Sequence, residues 1–191
     1  MNVREAFDVD SLKRRLLPES SVKEAGKTGL SVAAVAIIID PKKEGGSVLL
    51  IRRTERQGDP WSGQIAFPGG HKAPTDQTSL ETAHREAWEE VGIQLSEHEL
   101  LGAFPLVYSR SREVEVSPFV FQLRHDVSVR KNDEVAESFW APLSELQNIA
   151  VSKIEVQVEE GRLLVECYLY RGHTIWGMTF RIMNSLLGRE S

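Results

Sequence analysis

Glu86, Glu89 and Glu90 stand at i, i+3 and i+4 within Arg85-Glu86-Ala87-Trp88-Glu89-Glu90-Val91-Gly92-Ile93, so on a helix all three project from one face. Carboxylates this close repel one another unless a cation neutralises them. Oxygen donors with no His or Cys among them favour a hard ion, Mg²⁺ or Mn²⁺. Carboxylate-held magnesium usually shares its coordination shell with substrate phosphates, so the pattern points to metal-assisted phosphate chemistry. A bare run of glutamates reads as a solvated helix face; Arg85, Gly92 and the upstream Gly69-Gly70 set this one apart. Arg85 is spaced to pair with Glu89 at i+4, worth about 0.3–0.5 kcal/mol if it is only a surface pair. Gly69 and Gly70 allow a tight bend and a close approach to a phosphate or ion without a Cβ.

The stretch resembles the Nudix box, Gly-x5-Glu-x7-Arg-Glu-U-x-Glu-Glu-x-Gly-U, where U is a bulky aliphatic residue. Arg85, Glu86, Glu89, Glu90, Gly92 and Ile93 fall in place, and Ala87 is smaller than the usual U residue. Fourteen residues separate Gly70 from Arg85 where the box has thirteen, so the early Glu of the box falls on Gln77 or Asp76 and is not carried over. The resemblance implies that Glu86 and Glu90 are the main metal ligands and that Glu89 is a third ligand or positions water. It also implies a backbone carbonyl ligand at Gly69 or Gly70. The general base differs among family members, some using a glutamate from a later loop; Glu134, in Asp133-Glu134-Val135-Ala136-Glu137, is the candidate here.

Leu49-Leu50-Ile51-Arg52-Arg53-Thr54 followed by Gly63-Gln64-Ile65-Ala66-Phe67-Pro68-Gly69-Gly70 resembles the signature of the coenzyme A pyrophosphatase branch of the Nudix hydrolases. The extra residue before Arg85 and the segment Ile175-Trp176-Gly177-Met178-Thr179 also look like this branch. Ile51 replaces a Thr, and Asp59 and Trp61 stand where the branch has an Arg and a His. Substrate-binding candidates are Arg53, which matches the signature, Arg52, Gly69 and Arg110, with Arg112 a further source of positive charge. Adjacent strand residues face opposite sides, so one of Arg52 and Arg53 is expected to face the site. Trp61 could stack on a base or belong to its loop; Trp140 and Trp176 read as core.

These residues need a scaffold. The 191 residues suit one domain, with the Nudix core at about 30–145 and an N-terminal helix and a C-terminal hairpin plus helix as extensions. Strands are expected at 30–39, 47–53, 64–67, 99–108, 114–123, 136–140, 153–158 and 163–170, with turns at 41–46 and 159–161. Helices are expected at 8–17, from Gln77 or Thr78 to Val91 with Gly92 as C-cap, at 142–149 and at 175–187; Pro18 to Thr28 is a polar connector. The mixture reads as an α/β fold, helices layered on a mixed sheet, and the Nudix resemblance implies the same α/β/α sandwich.

A net charge of −5 argues against a nucleic-acid-coating surface, so phosphates must be met by local cations and a metal. Cys167 is the lone cysteine, which fits a reducing compartment. No apolar run reaches membrane-spanning length and no signal-peptide core is seen, so the expectation is a cytoplasmic protein with no membrane partner. The expected activity is Mg²⁺-dependent (or Mn²⁺-dependent) cleavage of a pyrophosphate. Coenzyme A or acyl-coenzyme A leads as substrate, yielding 3′,5′-ADP and a phosphopantetheine. ADP-ribose or another nucleoside diphosphate derivative is the alternative, and a non-catalytic nucleotide sensor is the alternative of a different class. The terminal extensions could build a homodimer.

Overall fold

The computed structural model describes residues 8–18, 29–58, 61–110, 113–158 and 161–189. Asp59, Arg112, the turn residues 159–160 and nearly all of the polar connector lie outside the described residues.

Eight strands form one mixed sheet. β1 (Ser31–Asp40) and β7 (Val114–Gln122) are its parallel centre, in register from Ser31↔Val114 to Ile39↔Gln122. β2 (Ser47–Arg53) joins β1 antiparallel only at Ile39↔Val48 and Asp40↔Ser47. The expected hairpin is therefore short, because the first half of β1 is taken by β4 (Gly69–His71), with Ala34 opposite Gly70 and Val35 opposite Gly69. β2 continues between β3 (Ile65–Ala66) and β8 (Val135–Pro142). β5 (Glu99–Ala103) and β6 (Val107–Tyr108) pair with β7; the single strand expected over 99–108 is split around Pro105, which lacks an amide donor.

The outer layers follow from residue alternation. Ala34, Ala36 and Ile38 of β1 and Leu49 and Ile51 of β2 face one side, where they pack with Ala83, Ala87 and Val91 of the helix α2 (Ser79–Val91). Ala34, Ala36, Ala83 and Ala87 are all small and fully buried, so the helix lies close to the sheet. This gives the small residue at position 87 a packing reason. Ile37, Ile39, Val48 and Leu50 face the other side. There they meet Leu12 of α1 (Val9–Lys13) and Leu143 and Leu146 of α3 (Leu143–Leu146). The same side holds a second, three-stranded sheet of β9 (Ser152–Val158), β10 (Gly161–Tyr170) and β11 (His173–Trp176). α4 (Gly177–Leu187) completes that layer through Phe180, Ile182, Met183 and Leu186.

Three expected helices are shorter than the sequence pattern suggests; the one expected at 142–149 covers only Leu143–Leu146. The first covers Val9–Lys13 with Asp8 as N-cap. The last starts at Gly177, because Ile175 and Trp176 pair with Tyr168 and Cys167 as strand. Trp140 and Trp176 are half-buried at the margins rather than in the core.

Candidate active site

The box helix begins where its sequence says. Thr78 caps it, its hydroxyl accepting from the Glu81 amide at 3.1 Å, and the Glu81 carboxylate accepts from the Gln77 amide. Gly92 closes it in the left-handed region at φ 69°, where glycine carries no Cβ penalty. One face of this helix then carries Glu86 and Glu90 against the Gly69-Gly70 backbone.

A side chain at either glycine would meet a neighbour, backbone at Gly69 and a carboxylate at Gly70. A Cβ at Gly69 would lie 2.3 Å from the Ala34 carbonyl oxygen, and one at Gly70 would lie 2.5 Å from a Glu86 carboxylate oxygen. Gly69 donates its amide to Glu90 Oε2 at 2.8 Å. Glu90 is nearly fully buried, and burial, reinforced by the Glu86 charge, pushes its carboxyl up to about 8 even though the Gly69 amide and Arg53 oppose the shift. Burial also raises Glu86, against the pull of Arg85. Two neighbouring buried carboxyls strained towards protonation are groups that a cation would relieve.

Arg85 organises the rest. It donates to Asp76 through Nε and Nη2 (2.9–3.2 Å), to Glu86 at 2.8 Å, to Glu89 at 2.9 Å and to the His71 carbonyl at 2.9 Å. The i+4 pair with Glu89 is thus present, as one strand of a larger network. Asp76 is the partner that the sequence left open. Its carboxylate is nearly buried and also accepts from the Ala73 amide and the Thr82 hydroxyl. Chiefly through Arg85, it is held down at about 2. The signal was the extra residue before Arg85, which puts an acidic side chain one turn ahead of the helix instead of at the box position.

The other candidates divide. Arg53 lies close enough to Glu90 to stabilise its charge. Arg52 points to the opposite face, 3.4 Å from Glu137, which itself lies 3.7 Å from His173 of β11. Glu134 is on the site side: its carbonyl accepts from the Thr54 amide, and its charge raises both Glu86 and Glu90. Its loop is fixed to the end of α2, since the Arg130 and Asn132 amides donate to the Val91 and Glu90 carbonyls. Arg110 lies exposed in the turn after β6. Trp61 is 37% exposed, its ring 6.0 Å from that of His71 at the edge of β4.

Among the described residues no three Asp, Glu, His or Cys side chains are drawn together tightly enough to enclose an ion; Arg85 holds Glu86 and Glu89, and the Gly69 amide holds Glu90. The donors still fit a hard divalent ion by type: carboxylate oxygens on one helix face and the adjacent Gly70 backbone, left open by the lack of a Cβ.

The NUDIX domain family matches residues 29–160, and the chain belongs to that family. NudL of Photorhabdus laumondii, named a Nudix hydrolase, is 36% identical over 152 residues, covering 78% of this chain and 79% of its own. An uncharacterized protein of Schizosaccharomyces pombe is 37% identical over 136 residues, covering 63% of this chain; the match spans only 39% of that longer relative. A MutT/nudix family protein from Enterococcus faecalis shares the fold with a TM-score of 0.54 and 19% identity, over 93% of this chain and 66% of that one. The chain is an enzyme of the Nudix hydrolase class. No helix among the described residues is long and apolar enough to cross a membrane.

Proposed function

We propose that this protein hydrolyses the pyrophosphate of a nucleoside diphosphate derivative, with Mg²⁺ or Mn²⁺ as cofactor, and that coenzyme A or an acyl-coenzyme A is the substrate. The single observation carrying the reaction is the pairing of Glu86 and Glu90, buried side by side, with the Gly69-Gly70 backbone. Glu86, Glu90 and the Gly70 carbonyl would hold the metal, with Glu89 as a further ligand or a positioner of water. When bound, the ion neutralises the diphosphate's charge and makes water acidic enough to lose a proton near neutral pH.

The chain's own residues do the rest. Arg85, anchored by Asp76, keeps Glu86 and Glu89 in fixed orientations. Arg53 supplies positive charge beside Glu90, and the Gly69 amide fixes the Glu90 carboxylate. Glu134, whose charge is felt by both Glu86 and Glu90, is the candidate to take the proton of the attacking water. Water attacks one phosphorus in line and the other phosphate leaves, so positioning and charge carry the rate.

Coenzyme A is favoured by the segments Leu49–Thr54 and Gly63–Gly70, and Asp59 and Trp61 are the departures from the signature that could re-tune the pocket. The test is a panel of coenzyme A, acetyl-coenzyme A, ADP-ribose, NADH, diadenosine polyphosphates and nucleoside triphosphates, with products read by mass spectrometry. Release of 3′,5′-ADP well above all other turnover supports coenzyme A. Turnover of ADP-ribose alone replaces the substrate but keeps the reaction. Silence with both metals overturns catalysis in favour of a nucleotide-binding module.

A further inference from the structure

The carboxylate-rich site must receive a diphosphate, and its cations are mostly committed. Arg85 is saturated by Asp76, Glu86, Glu89 and the His71 carbonyl. Arg52 faces the other side with Glu137. Lys72 donates to the Gln77 carbonyl. Arg56 differs from these. It stands three residues beyond Arg53, where β2 has run out towards the glutamates, and its Nη1 lies 3.0 Å from Glu134 Oε1. Both side chains are about half exposed, at 49% and 47%.

The backbone beneath this pair is fixed. The Arg56 amide donates to the Ser62 hydroxyl at 2.7 Å. Thr54 donates its amide to the Glu134 carbonyl and its hydroxyl to the Asp133 carbonyl, both at 2.9 Å. The Glu134 loop is in turn bonded to the end of α2. A rigid mount thus carries a solvent-exposed ion pair, a contact of small net strength, at the border of the site. A guanidinium binds carboxylate and phosphate alike through its planar fork, so on such a mount it can exchange one for the other with little loss.

We propose that Arg56 is a diphosphate-binding residue that rests on Glu134 when substrate is absent and transfers to the substrate's phosphate when it arrives, releasing Glu134 towards the reacting centre. The inference deepens the pyrophosphatase reading and rests on it.

The test uses the full chain and α,β-methylene-ADP, a diphosphate whose bridging carbon resists hydrolysis, with affinity measured by calorimetry. Turnover is measured in parallel on the best substrate of the panel. Arg56→Ala is expected to weaken α,β-methylene-ADP binding and raise KM by about tenfold or more, with kcat changed far less, and Arg56→Lys to recover part of the loss. Glu134→Ala is expected to tighten binding of the same probe by freeing Arg56. The double variant should bind like Arg56→Ala alone, an outcome that general charge removal would not give. An active wild type whose KM and probe affinity are untouched by Arg56→Ala overturns the role of Arg56 alone. Equal tightening by Glu134→Ala with and without Arg56 does the same. A wild type that neither binds nor cleaves any diphosphate overturns the parent reading and this inference together.

Discussion

The Gly69 amide donates to the Glu90 carboxylate at 2.8 Å across a gap of 21 residues. This bond joins β4 to the box helix and holds a carboxyl that burial raises to about 8. A group raised in this way contributes stability that is fully present below its unfolded value, near 4.5, and is lost as pH rises through 8. Metal-free protein is therefore expected to lose stability between those pH values. Glu90→Gln, which keeps the shape and an acceptor for Gly69, should melt higher than metal-free wild type above about pH 8 while turnover falls by orders of magnitude. Each kcal/mol relieved should raise Tm by about 2–4 °C. Calorimetric melts of both proteins against pH check this; parallel curves would contradict it.

Gly69 and Gly70 should respond differently to the same added methyl group. At Gly69 a Cβ meets the β1 backbone, which cannot move aside, so Gly69→Ala is expected to destabilise the fold by about 1–3 kcal/mol. At Gly70 it meets the Glu86 carboxylate, a side chain that can turn away. Gly70→Ala should fold with a smaller loss and fail in turnover and divalent-ion affinity. Denaturant melts and metal titrations separate the two outcomes.

Asp76, one turn before the helix, is expected to matter as much as a box glutamate. Its carboxyl is held at about 2 chiefly by Arg85. The sign is the usual one for a depressed acid: its contribution is present above the unfolded value, near 3.8, and is lost as pH falls through 2. Asp76→Asn should cost about 2 kcal/mol at neutral pH, flatten the acid limb of the stability curve, and lower kcat by releasing Arg85 from Glu86 and Glu89. Acid melts of the two proteins together with kcat at pH 7 check all three.

Much of this site was legible in sequence because its parts are local. Helix spacing placed Glu86 and Glu90 on one face, Gly92 closed the helix as its type demands, and Arg85 pairs with Glu89 at i+4. What stayed hidden depends on contacts distant along the chain. Nothing local announces that β4 displaces β2 from half of β1, or that β1 runs parallel to β7. The register with β8 slips between Arg52 and Arg53. Alternation could say that the two arginines part, and the signature favoured Arg53, but only the sheet shows Glu137 claiming Arg52. Asp76 was left open beside Gln77 because its bond to Arg85, nine residues away, is reached through a loop.

The two adjacent arginines give a paired control. Arg53→Ala is expected to impair turnover at least tenfold, equivalent to about 1.4 kcal/mol of transition-state stabilisation, because its charge lies beside Glu90. Arg52→Ala should leave kcat/KM within about twofold, since that side chain serves an exposed pair with Glu137. Steady-state kinetics on the preferred substrate decide this, and equal losses would place both arginines at the site.

The central claim is that Glu86 and Glu90 support divalent-metal hydrolysis of a diphosphate against the Gly69-Gly70 backbone. Its most direct test is turnover of coenzyme A and the other pyrophosphate compounds by wild type and by Glu86→Gln/Glu90→Gln, with Mg²⁺ and with chelator. The account predicts cleavage at the pyrophosphate that vanishes with chelator and with the double substitution while the variant stays folded. Cleavage that persists in the folded double variant would contradict it.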